Sequence, residues 1–320
     1  MNPDVADAVV TLERQGVLSP EQARLFGRVA RRELVSVHGE LRFLAYTGVL
    51  LVMGGVGLLV KENLERLGPV TIASALALAA AVCFLWVVRH AAPFTRAAAA
   101  PAHLAFDYVL LLGALLAAAD LAYVEVQFTP LGAAWVWHLL LVSAFYTILA
   151  FRYDSRVVFS LALSTFAAWR GVAAGQLGAS LWGSLEGAGF IRANAAACGV
   201  LFVGLGLWLK KADWKAHFEP VAAHAGWLLV LAALVSGLGD QAQGYGFALF
   251  LVGAGLAAYA LWARRFWLLA MGVLGAYVGV SALVLSTFDS ADVAMWWFMI
   301  TALMLLPALF LLHRLVKERA

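Results

Sequence analysis

A chain of 320 residues that is 64% hydrophobic and 13% charged is not a soluble domain, for which roughly 45–50% and about 25% are usual. No globular core of this length hides so much apolar surface from water, so lipid must solvate most of it. The net charge of +3 is small and matters less than where the cations fall, and the two cysteines, Cys83 and Cys198, sit in apolar runs, which excludes a disulfide framework or a zinc site.

The first 40 residues are polar and amphipathic and carry no secretory signal, so the first apolar run is expected to stay in place as a signal-anchor. Val5, Ala8, Val9 and Leu12 follow helical spacing, and Gly16 is a helix stop. Ser19 then caps a second helix, with Pro20 at its first position and Gln22 closing a capping box. Ala23, Phe26, Val29, Ala30 and Val37 share one face of that helix, and Arg24, Arg28, Arg31 and Arg32 the opposite one. Two helices and a tight turn resemble a DNA reader in outline, but the segment abuts a membrane run and no second basic element follows, so nucleic acid is not expected as a partner. A cytosolic helical cap over residues 1–40, whose arginines meet headgroups or a partner protein, fits better.

Ten runs are long enough to span a bilayer, at about 43–60, 70–88, 105–125, 130–151, 157–174, 190–209, 221–239, 246–262, 266–287 and 293–313. The eighth is short and is thinned by Gly253 and Gly255. With the N-terminus inside, the inner segments hold Arg42, Arg89, Arg96, Arg152, Arg156, Lys210, Lys211, Lys215, Arg264, Arg265 and Arg314, while the outer loops hold Lys61, Arg66 and acids such as Glu125, Glu186, Asp240, Asp289 and Asp292. That bias follows the positive-inside rule. The expected fold is therefore all-α: a polytopic membrane helix bundle over residues 41–320, with ten spans and both ends in the cytoplasm. "GVAAG" at 171–175 and "GAYVG" at 275–279 have the spacing that lets helix backbones approach. Pro307 should kink the last span.

"RQGVLSPEQARLF" at 14–26, followed about twenty residues on by "YTGVLLVMGGVGLLVKEN" at 46–63, resembles the predicted bacterial membrane proteins of the domain-of-unknown-function 2157 family. The likeness covers roughly the first 170 residues; where such proteins often carry a tryptophan, this chain has Leu64. The resemblance implies a bacterial inner-membrane protein with a cytosolic helical N-terminus. It implies no activity and no functional residues.

An ionisable residue inside a span is costly, and marks a site or a paired contact. Asp120 lies about 15 residues into the third run, Arg170 about 13 into the fifth and His138 about eight into the fourth. At 1.5 Å per residue these three fall at a common height in the outer leaflet. Arg192 and Asn194 open the sixth run on the same side, and Glu125 lies nearby. An Asp120–Arg170 ion pair, with His138 in its network, is the expectation. Such a layer reads either as structural, fixing the register of three helices, or as the lining of a water-filled cavity for an anionic or zwitterionic solute. "GQLGASLWGSLEGAGF" at 175–190 reads either as a lid over it or as an interfacial loop lying flat. His224 reads as a packing histidine.

No phosphate loop, nucleophile elbow or pair of histidines at metal-ligand spacing occurs, so neither a cofactor, a metal nor catalysis is expected. Transport or solute binding at the polar layer is the working function. The alternatives are a non-catalytic scaffold or sensor whose cap recruits a membrane partner or a second copy, and, thirdly, a membrane-embedded lipid-modifying enzyme.

Overall fold

The structure is a computed structural model that describes residues 9, 11–30, 38–98, 105–181, 187–288, 290, 292–301 and 303–304. Among these residues every regular element is a helix. The chain divides into two compact units, Met1–Gly68 and Pro69–Ala320.

The first unit holds helix α1, Pro20–Ala30, and the long helix α2, His38–Leu67. The capping box forms as expected: Ser19 N donates to Gln22 Oε1 at 3.0 Å, and Gln22 N donates to Ser19 Oγ at 3.2 Å. Two otherwise orphaned donors at the helix start are thereby satisfied. Gly16 adopts φ +71°, the left-handed geometry that ends the preceding turn. Arg24 and Arg28 are exposed on α1, whereas Arg31 and Arg32 lie outside the described residues. Within α2, Arg42 Nη2 donates to the Tyr46 hydroxyl one turn on, at 3.3 Å.

The second unit is a run of helices: α3 (Pro69–His90), α4 (Phe106–Phe128), α5 (Val136–Tyr153), α6 (Arg156–Leu181), α7 (Gly187–Lys211), α8 (Glu219–Ser236), α9 (Ala242–Trp262) and α10 (Phe266–Thr287). Residues 292–301 are helical too, while residues 305–313 of the last apolar run, Pro307 included, lie outside the described residues. Eight helices among the described residues are long and apolar enough to cross a membrane: α2, α3, α4, α5, α7, α8, α9 and α10. The segment around Arg170, α6, is helical but is not among the eight. The run expected to be weakest is a full helix of 21 residues, Ala242–Trp262.

Leu78, Ile148, Val200, Leu228 and Trp262 all point outward and are more than half exposed. Soluble proteins do not present so continuous an apolar exterior, so a bilayer is its natural solvent. Successive helices pack as the hairpins α3–α4, α5–α6, α7–α8 and α9–α10. Left-handed residues end helices α4 and α5: Thr129 (φ 46°) returns its N–H to Glu125 O, and Asp154 (φ 62°) returns its own to Ala150 O.

Glycine sets the closest approaches. A Cβ on Gly199 would lie 2.5 Å from Gly226 O, and one on Gly226 would lie 2.5 Å from Gly199 O, so α7 and α8 touch backbone to backbone. A Cβ on Gly253 would lie 2.3 Å from Ala276 N, and one on Gly279 would lie 2.5 Å from Phe250 N. Gly253 therefore joins α9 to α10 rather than weakening its span, and "GAYVG" packs within this bundle. "GVAAG" does not: Gly171 and Gly175 face open space. Both cysteines are free.

Candidate functional site

The polar residues expected in one layer are divided among separate contacts. Asn194, buried at the start of α7, donates from Nδ2 to Arg170 O at 3.0 Å, which joins α6 to α7. Arg192 forms an ion pair with Asp240 and lies over the Tyr245 ring, its Cζ 5.6 Å from the centroid. Glu125 Oε2 accepts from Leu131 N at 3.2 Å and braces its own loop.

The expected Asp120–Arg170 ion pair is not formed, and His138 is bonded to neither residue. Packing supplies the reason. α4 lies mainly against α3 and α6 mainly against α5, and α4 and α6 touch only slightly. A common height does not give a common azimuth, because each residue turns the helix by about 100°. Asp120 Oδ1, Tyr123 Oη and His138 Nε2 are buried without a hydrogen-bond partner. Tyr123 stands one turn beyond Asp120 on α4, on the same side. It was missed in sequence because a tyrosine near a helix end reads as an interfacial anchor. The guanidinium of Arg170 has no ion-pair partner among the described residues either. The loop expected over this end is mostly helix: α6 runs on to Leu181 and α7 begins at Gly187, leaving 182–186 outside the described residues.

At the opposite ends of the same helices lies a charged cluster that sequence reading passed over. Lys215, in the turn between α7 and α8, is only 1% exposed. Its Nζ is 3.0 Å from Asp154 Oδ1, and His217 Nε2 is 2.5 Å from the same oxygen. The lysine contact is an ion pair, the histidine contact is one only when the imidazole is protonated, and neither has hydrogen-bond alignment at Oδ1. The ammonium also lies 5.3 Å from the Phe94 ring centroid, and Lys215 N donates to Arg96 O at 2.8 Å. Glu219, in the first turn of α8, accepts a two-pronged pair from Arg265 at 2.5 and 2.8 Å. That bond outweighs burial and raises the Arg265 guanidinium above its ordinary pKa. The signal in sequence was "DWKAHFE": a cation between Trp214 and Phe218 sits in a turn too aromatic to be solvated. His224 is satisfied locally by Pro220 O, as a packing histidine would be. Among the described residues no group of three His, Cys, Asp or Glu side chains is placed to hold a metal.

No protein-family model, curated protein or solved structure shows significant similarity to this chain.

Proposed function

We propose that this is a multi-pass protein of a bacterial inner membrane, akin to the domain-of-unknown-function 2157 proteins. Ten spans put both termini in the cytoplasm, and the protein binds or carries a small zwitterionic solute at the Asp120–His138–Arg170 layer. The observation that supports this reading is a pair of unmatched charges. Asp120 and Arg170 stand on helices that touch, and neither has an ion-pair partner among the described residues. A structural pair would have closed; an open acid and an open base complement a molecule carrying both signs. Tyr123 Oη and His138 Nε2, buried and unsatisfied, offer further polar contacts nearby on α4 and α5.

The test is a thermal-shift measurement on the full chain in nanodiscs against alanine, leucine, glutamate and glycine betaine. At least one should raise the unfolding midpoint in the wild type and in neither Asp120→Asn nor Arg170→Gln. No shift with any of the four, or a shift kept by both variants, rejects the site. Single cysteines at 120, 138 and 170, in a background without Cys83 and Cys198, should react with a membrane-impermeant thiol reagent from outside.

A further inference from the structure

Helices α5, α6 and α7 enclose a groove of about 440 Å³, lined among others by Ile148, Phe151, Phe166, Leu201, Trp208 and Trp214. It opens sideways rather than to an aqueous end, since Ile148, Leu201 and Trp208 are each more than half exposed on the outer surface. Its two hydroxyls are already used by the protein. Ser143 Oγ donates to Ala162 O at 2.9 Å, and Thr147 Oγ1 donates to Ser143 O at 2.8 Å. Apart from the indoles of Trp208 and Trp214 at one end, the groove therefore offers an occupant hydrocarbon contact.

One end of the groove is different. Trp208 and Trp214 meet edge to face there, with centroids 5.7 Å apart. One helical turn beyond the lining residues, each helix carries an exposed cation: Arg152 follows Ile148 by four positions, Arg156 precedes Phe159 by three and Lys211 follows Trp208 by three. Residues three or four apart share a helix face, so the cations of all three helices continue the groove's own rows. Of the acids at this end, Asp154 is held by Lys215 and His217, and Asp213 is exposed. An aromatic rim between an apolar slot and a triad of cations matches the two halves of one molecule.

We propose that this groove seats an acyl chain of an anionic phospholipid from the surrounding bilayer, with the lipid phosphate against Arg152, Arg156 and Lys211. Arg152 already donates to Ala92 O at 3.3 Å and lies over the Tyr153 ring, but none of the three cations has an anionic partner among the described residues. A neutral partner helix would fill the slot and leave them so, and a soluble phosphate would leave the slot unfilled. The site is separate from the Asp120 layer and does not depend on it.

Native mass spectrometry of the full chain tests this. The protein, in a neutral detergent, is titrated with phosphatidylglycerol and with phosphatidylcholine of identical chains. Each basic residue at an anionic lipid contributes about fivefold. One phosphatidylglycerol should then bind at least tenfold (~10) more tightly than phosphatidylcholine, and R152Q/R156Q/K211Q should bind the two alike. Ile148→Trp with Leu201→Trp fills the slot from its exposed side and should weaken both lipids about equally. Should these variants misfold, one conservative variant keeps the test: phosphatidylglycerol brominated on its acyl chain should quench tryptophan emission in the wild type, and quench it less in Trp208→Phe. Equal affinity for the two lipids, a preference surviving loss of the three cations, unchanged binding with the slot filled, or glycerol phosphate binding as tightly as the lipid would each overturn the proposal.

Discussion

Lys215 and Asp154 face each other across the ends of two hairpins, Nζ 3.0 Å from Oδ1, with the lysine sealed from solvent. A buried ammonium is tolerated only beside an opposite charge, and removing one partner leaves the other uncompensated. Asp154→Asn should therefore destabilise the protein by about 3–5 kcal/mol, because it leaves the buried Lys215 ammonium without its counter-charge. The double variant with Lys215→Met should recover part of the loss. Thermal unfolding of the four proteins in one detergent gives the coupling, and additive losses would show that the pair does not interact.

Glu219 and Arg265 test geometry rather than charge. Their two-pronged contact fastens the start of α8 to the turn between α9 and α10. Lysine keeps the charge of arginine but not its planar fork. Arg265→Lys should thus lose about 1–3 kcal/mol, because one buried oxygen of Glu219 is left without its donor. A stability equal to wild type would show that a point charge suffices.

The glycines separate close packing from composition. Gly199→Ala puts a methyl 2.5 Å from Gly226 O and 2.8 Å from Val230 Cγ2, where neither backbone nor branched side chain has room to yield. It should part α7 from α8 and lower the folded yield sharply. Gly171→Ala meets nothing within 4 Å and should be neutral, or stabilising by up to about 1 kcal/mol through helix propensity. Size-exclusion profiles and midpoints read both, and similar behaviour of the two variants would sink the packing argument.

These contrasts show what a sequence carries and what it does not. The Ser19–Gln22 box was legible because its partners are three residues apart and the helix geometry alone joins them. The membrane helices were legible because length and hydropathy are local. Pairings between helices were not. Counting residues puts Asp120 and Arg170 at one height, but which way each faces depends on the rotation of α4 and α6 within their hairpins, which no periodicity encodes. Likewise Arg192 reads as one more cation of the layer, yet it turns to Asp240, 48 positions on. Lys215 reads as one of several inner cations because the positive-inside pattern counts charges without asking whether they are buried.

Asp120 gives the sharpest separation of stability from function. Its Oδ1 is buried and unsatisfied, a state that costs about 1–3 kcal/mol relative to a bonded one. Among the described residues no hydrogen bond to Oδ1 offsets that cost, so under the proposed function the carboxylate would be kept at the expense of stability. Asp120→Leu should therefore raise the unfolding midpoint of the ligand-free protein, and Asp120→Asn should leave it unchanged or slightly higher. Both should lose any solute-induced shift. The exchange Asp120→Arg with Arg170→Asp should rescue nothing, since the two side chains do not touch. A midpoint that falls with Asp120→Leu and returns in the exchanged protein would mean that the pair closes in the membrane, and the layer would then be a brace between helices rather than a binding site.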